Sequence, residues 1–193
     1  MYKRQEGVQN NGIINHYEYI INSEGTIEIR HVLKPEGKMP LWFPRIGLTL
    51  TVSDALDQVK WYGRGPQENY PDRKTGYPMG IYASTVQAMY EPYLMPQDYG
   101  LRTDVRWLQL TTDKGIGLQF KMNEWFNFNI YPYSTDNLTK AMYTYQLQKQ
   151  KGMTLNLDYA TTGVGCTARG VFGAYKAMPQ EYRRTISIRP MMK

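Results

Sequence analysis

Apolar and polar residues alternate along most of this chain in short runs, and turn residues separate the runs. A period of two puts one face of a strand toward a core and the other toward water, which a helix cannot do with the same pattern. IINHYEYIIN and TIEIRHVLK follow this rule on either side of Ser23-Glu24-Gly25 and read as a hairpin over 13 to 33. RIGLTLTV (45 to 52) and VKWYGRG (59 to 65) read as further strands, the second stopped by Gly65-Pro66. LRTDVRWLQLT (101 to 111), GIGLQFKM (115 to 122) and FNFNIYPYS (126 to 134) repeat the pattern, with a hairpin turn at Asp113-Lys114-Gly115. TLNLDYATTGVG and EYRRTISIRP supply two more strands. Aromatic residues favour such pleated surfaces, and the chain has 17 Tyr and 4 Trp among 193 residues. The one good helix start is STDNLTKAM (134 to 142), where Ser134 or Thr135 can cap and Asp136 meets the positive helix end. The expectation is a single all-β, antiparallel sandwich domain over 1 to 193, with about nine or ten strands and one short helix.

Several function classes are excluded at this level. No apolar run reaches the length of a membrane-spanning helix, and MYKRQEGVQNNG lacks the apolar segment of a secretory signal. No membrane partner is expected, and the compartment stays open. A lone Cys166 permits neither an internal disulfide nor a multi-cysteine zinc site. With only His16 and His31, no metal site is expected. The net charge of +6 comes from scattered Lys and Arg, without a basic block or a nucleic-acid-binding motif. Nucleic acid is therefore not an expected partner.

Candidate chemistry is sparse. No phosphate loop, dinucleotide fingerprint or zinc-protease motif is present. His16 and His31 lie in the N-terminal hairpin as ordinary strand residues, and Cys166 reads as a small buried apolar residue. Glu68, Asp72, Glu91, Asp98, Asp104, Glu124 and Asp158 are the carboxylates that could pair for glycoside hydrolysis. Sequence alone places no two of them together. The most specific string is WYGRGPQENYPDRKTG, residues 61 to 76. It lacks periodicity and carries polar groups suited to local bonding: Gln67, Glu68, Asn69, Asp72 and Arg73, with Tyr70 as an apolar anchor. It reads as a self-packed loop whose role is structural.

GPQENYPDR, covering Gly65, Pro66, Gln67, Glu68, Asn69, Tyr70, Asp72 and Arg73, closely resembles the signature of one family. That family is the C-terminal, small-chain or fifth, domain of bacterial family 2 β-galactosidases. PRIGLTLTV before it has the family's order, as do MYEPYLMPQDYGLRTDVRWLQL, FNFNIYPYSTDNL and LNLDYATTGVG after it. The resemblance runs from roughly residue 13 to 190. It implies an antiparallel β-supersandwich of the galactose mutarotase-like kind, with the chain beginning inside the domain. It also implies a non-catalytic role. The catalytic glutamates of such enzymes lie in a (β/α)8 barrel that 193 mostly β residues cannot supply. No catalytic residue and no cofactor is expected in this chain, and any Mg or Na of the parent family belongs to other domains.

The implied contribution is a carbohydrate-binding loop or an oligomer contact in a parent that hydrolyses terminal β-D-galactosides or related glycosides. Expected partners are carbohydrate, the other domains of the parent glycosidase and, through an oligomer contact, further copies of the chain. The late loop GVGCTARGVFGAYK departs from the family pattern, with Cys166 and Thr167 for Gly and Asp. Arg169 stands where a Trp is expected, and Tyr143 and Tyr145 stand where relatives carry two histidines. Arg169, Phe172 and Tyr175 are the candidate substrate-binding residues, Arg169 as a donor to hydroxyls or a carboxylate. Two alternatives compete with this reading: a stand-alone carbohydrate-binding module and a mutarotase-like epimerase.

Overall fold

The computed structural model describes residues 2–6, 12–165 and 170–192. It contains ten strands: β1 (Tyr2–Glu6), β2 (Gly12–Ile21), β3 (Ile27–Glu36), β4 (Arg45–Val52), β5 (Gln58–Arg64), β6 (Met79–Thr85), β7 (Arg102–Thr111), β8 (Gly117–Tyr131), β9 (Met153–Thr161) and β10 (Tyr182–Met191). One α-helix, α1 (Thr135–Lys140), follows β8. Every strand pairing is antiparallel. The all-β expectation therefore stands.

The main path through the sheet runs β1-β2-β3-β10-β8-β7-β5-β6, and β9 and β4 branch from β8. β8 makes this branch possible through its length of 15 residues. Its first part, Gly117 to Met122, pairs with β10, whereas Asn127 to Tyr131 pairs with β9. One edge of one strand is thus shared between two layers. The layers face each other: β3 and β9 share no ladder, yet His31 Nδ1 lies 2.7 Å from the Tyr159 hydroxyl.

The alternation in sequence explains the core between the layers. Trp61, Leu108, Phe120, Phe128, Leu157 and Ile186 come from β5, β7, β8, β9 and β10 and form one buried cluster. Each such side chain contributes roughly 1.5–3 kcal/mol by leaving water. A second, smaller cluster of Tyr99, Tyr131 and Leu138 lies where α1 packs. Ser134 caps α1 by accepting from the Asn137 N–H at 3.0 Å, and Asp136 pairs with Lys140 one turn later. The expected turn after β7 also forms: Thr112 N–H donates to Ile116 C=O, and Gly115 takes a φ of 78°.

Three details differ from the sequence reading. The segments at 115 to 122 and 126 to 134 are one strand, because the polar run between them stays extended and the Asn123 side chain accepts from the Thr185 N–H of β10 at 3.0 Å. β6 is not among the strands read from the sequence; its residues pair along the whole of β5. β1 pairs with the start of β2, which sequence patterning does not reveal.

Candidate functional site

The string after β5 folds on itself through side-chain and backbone bonds. Trp61, fully buried, donates its indole N–H to Arg64 C=O at 3.0 Å and fixes the strand end. The Gly65-Pro66 peptide is cis, and a Cβ on Gly65 would lie within 3.0 Å of Tyr82 and Trp61. Gln67 is exposed, and its C=O accepts from the Asn69 side chain. Asn69 is buried; its oxygen accepts from both the N–H and the hydroxyl of Thr103. Glu68 accepts from the Gly100 N–H at 2.8 Å and from the hydroxyls of Tyr70 and Tyr93. Tyr70 and Arg73 close a short backbone bridge. Beneath them, buried Arg102 donates to Gly100 C=O and Pro66 C=O and lies over the Trp61 ring. Burial lowers its pKa to about 10, against the pull of Glu91 and Glu68.

Asp72 carries this loop to a distant part of the chain. Its two carboxylate oxygens accept from the N–H groups of Val164 and Gly165, at 3.1 and 2.7 Å. Gly163 makes room: a Cβ there would lie 2.4 Å from the Asp72 carboxyl carbon. Gly163 N–H also donates to Tyr175 C=O, closing the base of the late loop. Phe172 precedes a short 3-10 turn (Gly173–Tyr175) and Tyr175 ends it, and both are exposed. Arg169, the third candidate, lies outside the described residues, as does Cys166. Tyr143 and Tyr145 stack on each other with ring centres 5.5 Å apart, both exposed.

A buried polar ladder stands beside the clamp. In β8 and β9, Asn129 pairs with Asn156 and Asn127 with Asp158. Asn156 donates to Asn129 and to the Tyr131 hydroxyl, and Thr49 of β4 donates to Asn156. Arg45, first residue of β4, donates twice to one oxygen of Asp158, at 2.7 and 3.2 Å, and reaches Asn129 and Asp98. Asp158 is only 2% exposed. Burial pushes its pKa up to about 6, with Arg45 pulling the other way. Burial also opposes the charge of Arg45, but Asp158 and Asp98 outweigh it and hold its proton tightly. Gly47 allows the irregular register here, since a Cβ would lie 2.3 Å from Leu157 C=O and 2.8 Å from the Asp158 carboxylate.

Loop, clamp and ladder together bound a cleft of about 450 Å³ lined by Pro44, Arg45, Tyr70, Arg73, Tyr93, Gln97, Asp98, Thr161, Thr162 and Val164. Its wall offers guanidinium, carboxylate, amide and phenol groups, a set suited to hydroxyl-rich ligands. Arg45, Tyr93, Gln97 and Thr161 are absent from the residues that sequence reasoning selects. One signal for the ladder was present: Asn and Asp alternate with aromatic and aliphatic residues in FNFNIY and LNLDY. Polar residues at every second position of strands apolar on their other face imply a second, polar packing surface.

Comparison with known proteins decides the family. The family model described as Beta galactosidase small chain matches residues 3–188. The chain belongs to the β-galactosidase small-chain family. Within this family, the β-galactosidase of Priestia megaterium is 38% identical over 147 residues, covering 76% of this chain and 14% of that protein. That of Vibrio cholerae is 39% identical over 122 residues, covering 63% of this chain and 11% of that protein. The small-chain domain therefore spans only about a seventh of the length of the curated relatives it matches. A solved structure, a GalM/aldose epimerase homologue from C. elegans, is 10% identical with a TM-score of 0.45, covering 98% of this chain and 68% of that one.

The carboxylates of the small-chain domain serve as anchors. Asp104 pairs with Arg64 and Lys74, which outweigh its partial burial and lower its pKa. Glu124 pairs with Arg184, Asp158 with Arg45, and Glu68 and Asp72 hold backbone N–H groups. His31 is likewise committed, between the Tyr159 hydroxyl and the Asn15 side chain.

Proposed function

We propose that this domain is a non-catalytic part of a β-galactosidase-type glycoside hydrolase and presents a carbohydrate-binding loop to the parent enzyme's substrate site. The parent reaction is hydrolysis of terminal β-D-galactosides or related glycosides. The observation that carries the reading is the Asp72 clamp. It fixes the start of the loop at Val164 and Gly165, next to a cleft lined by Arg45, Arg73, Gln97 and Asp98. A loop held at its base by a rigid sheet and bordered by polar side chains can position a sugar without performing bond cleavage. Phe172 and Tyr175, exposed on this loop, offer apolar faces for a pyranose ring, and Arg169 would add a donor. The other domains of the parent are the partners this reading requires.

The test is Asp72→Asn in a full-length parent enzyme carrying this domain. Loosening the loop base raises KM for the galactoside several-fold while the oligomer and the fold persist. Unchanged KM and kcat, with the clamp demonstrably broken by amide exchange at Gly165, would refute the loop's role.

A further inference from the structure

The outer face of the main sheet carries an aromatic cluster that the core does not use. Trp61, Leu108 and Phe120 point into the core, so their chain neighbours Tyr62, Trp107 and Lys121 point away from it. Tyr62 and Trp107 are cross-strand partners, with ring centres 6.5 Å apart. Beyond them the strands fall out of step. β7 pairs Trp107 with Lys121 but Val105 with Phe126, so Arg106 alone opposes residues 122 to 125 of β8. Such a bulge re-aims side chains. Here it sets Arg106 Cζ 3.5 Å from the centre of the Trp125 ring and 5.7 Å from that of Tyr62. Arg106 also donates to Asp104 C=O, which ties the guanidinium to the backbone.

These rings are held in place yet stay open to solvent. Trp125 is 60% exposed and Tyr62 37%. Arg106 covers one face of the Trp125 indole, so exposure of that extent leaves the other face free. Lys60, Gln109 and Gln119 form the next rung of cross-strand neighbours, roughly 7 Å along the strands from Tyr62, Trp107 and Lys121. This arrangement narrows the occupant. A pyranose has a face of C–H bonds that packs on an aromatic ring, and edge hydroxyls that need donors and acceptors beside that ring. An open indole face flanked by a guanidinium, amides and amines meets both needs. The centre of a protein–protein interface is instead depleted of lysine, whereas Lys60 and Lys121 flank these rings. Two exposed rings on either side of Arg106 give two stacking positions, which suits a chain of sugars.

We propose that Trp125 and Tyr62, with Arg106 between them, form a surface site for an oligosaccharide chain bound through its ring faces. The cleft beside the Asp72 clamp has other walls, so the two sites are separate. One pyranose stacks on the free face of Trp125, a second lies on Tyr62, and Arg106 and Gln109 bond their hydroxyls.

The experiment is calorimetric titration of the purified chain with a β-linked galactotetraose and with galactose. Galactose units are the probe because their axial hydroxyl leaves one ring face formed by C–H bonds. Saturable binding of the tetraose is expected, tighter than that of galactose and little changed by salt. Trp125→Ala weakens it by about tenfold or more, the effect of losing a stacked ring. Tyr62→Ala weakens it less, and Tyr145→Ala, which removes an exposed tyrosine elsewhere, binds as the parent chain does. In the unaltered chain the indole N–H resonance of Trp125 shifts on titration, whereas that of buried Trp61 does not. This readout needs no substitution, so it holds even for a variant that folds poorly. The proposal is overturned if the tetraose does not bind, if Trp125→Ala and Tyr62→Ala bind it as the parent does, or if the Trp125 resonance stays still. Binding that salt abolishes also overturns it, since charge would then be the source. So does dimerisation that Trp125→Ala removes in a chain that binds no sugar, since the face would then be a protein interface.

Discussion

The carboxylate of Asp72 accepts a hydrogen bond from the Gly165 N–H at 2.7 Å, across 93 positions of sequence. With its second bond, to Val164, it converts a loop after β9 into an extension of the loop after β5. Asp72→Ala should lower stability by about 1–2 kcal/mol, the usual effect of losing bonds to a charged acceptor. Its distinctive signature is local: amide exchange at Val164 and Gly165 accelerates while β9 stays protected. Gly163→Ala should give the same exchange pattern, because the new Cβ overlaps the carboxylate at 2.4 to 2.6 Å. Uniform acceleration across the sheet would contradict a clamp confined to the loop base.

Arg45 is the counter-charge of a buried carboxylate. Arg45→Ala strands Asp158 without it and should cost about 3–5 kcal/mol. The double variant Arg45→Ala, Asp158→Asn should recover part of that loss, since the uncompensated charge is gone. Denaturant titrations of the two variants measure this directly; equal losses would mean that the pair contributes only packing.

Acid sensitivity centres on His31. Burial lowers its pKa to about 4, whereas in the unfolded chain it titrates near the ordinary histidine value of 6.5. Between those values the unfolded state holds the extra proton, so stability falls as pH drops from about 6.5 toward 4. The contribution is on the order of 2 kcal/mol. Asp158 acts in the opposite sense: its raised pKa makes protonation favour the folded form between about 4 and 6. His31→Gln should therefore flatten the decline of melting temperature with acid and unmask the gain from Asp158. A variant as acid-sensitive as the parent chain would rule His31 out as the source.

The chain alone should hydrolyse no chromogenic β-galactoside. Among the described residues the ten antiparallel strands build no (β/α)8 barrel, and of the seven candidate carboxylates Glu68, Asp72, Asp98, Asp104, Glu124 and Asp158 are committed to loop amides or basic side chains, leaving Glu91 alone. Turnover that survives removal of trace host enzyme would contradict this.

The sequence made some of this architecture plain and concealed the rest for physical reasons. RIGLTLTV coincides with β4, and Ser134 is the cap of α1, because local alternation and capping chemistry are written in neighbouring residues. β8 reads as two strands because Asn123, Glu124 and Trp125 interrupt the pattern with side chains that the structure leaves exposed. The GPQENYPDR loop announced its own packing through short-range polar groups. Its bond to Gly165 did not appear, since nothing near Asp72 specifies a partner 93 residues away. The Arg45 cluster needed β4, β8 and β9 in register before its charges could be placed side by side.

The position of β10 has a consequence for how the chain is made. β10, which follows β3 and β8 in sequence, lies in the interior of the sheet between them. A ribosome delivers β3 and β8 long before the strand that joins them. Until β10 emerges, both present open edges of unpaired N–H and C=O groups, and the apolar residues beside them have no cover. Joining of the β3 and β8 parts of the sheet thus waits on β10. Trimming residues 182 to 191 would not shorten an edge; it would divide the main path of the sheet into two unpaired pieces.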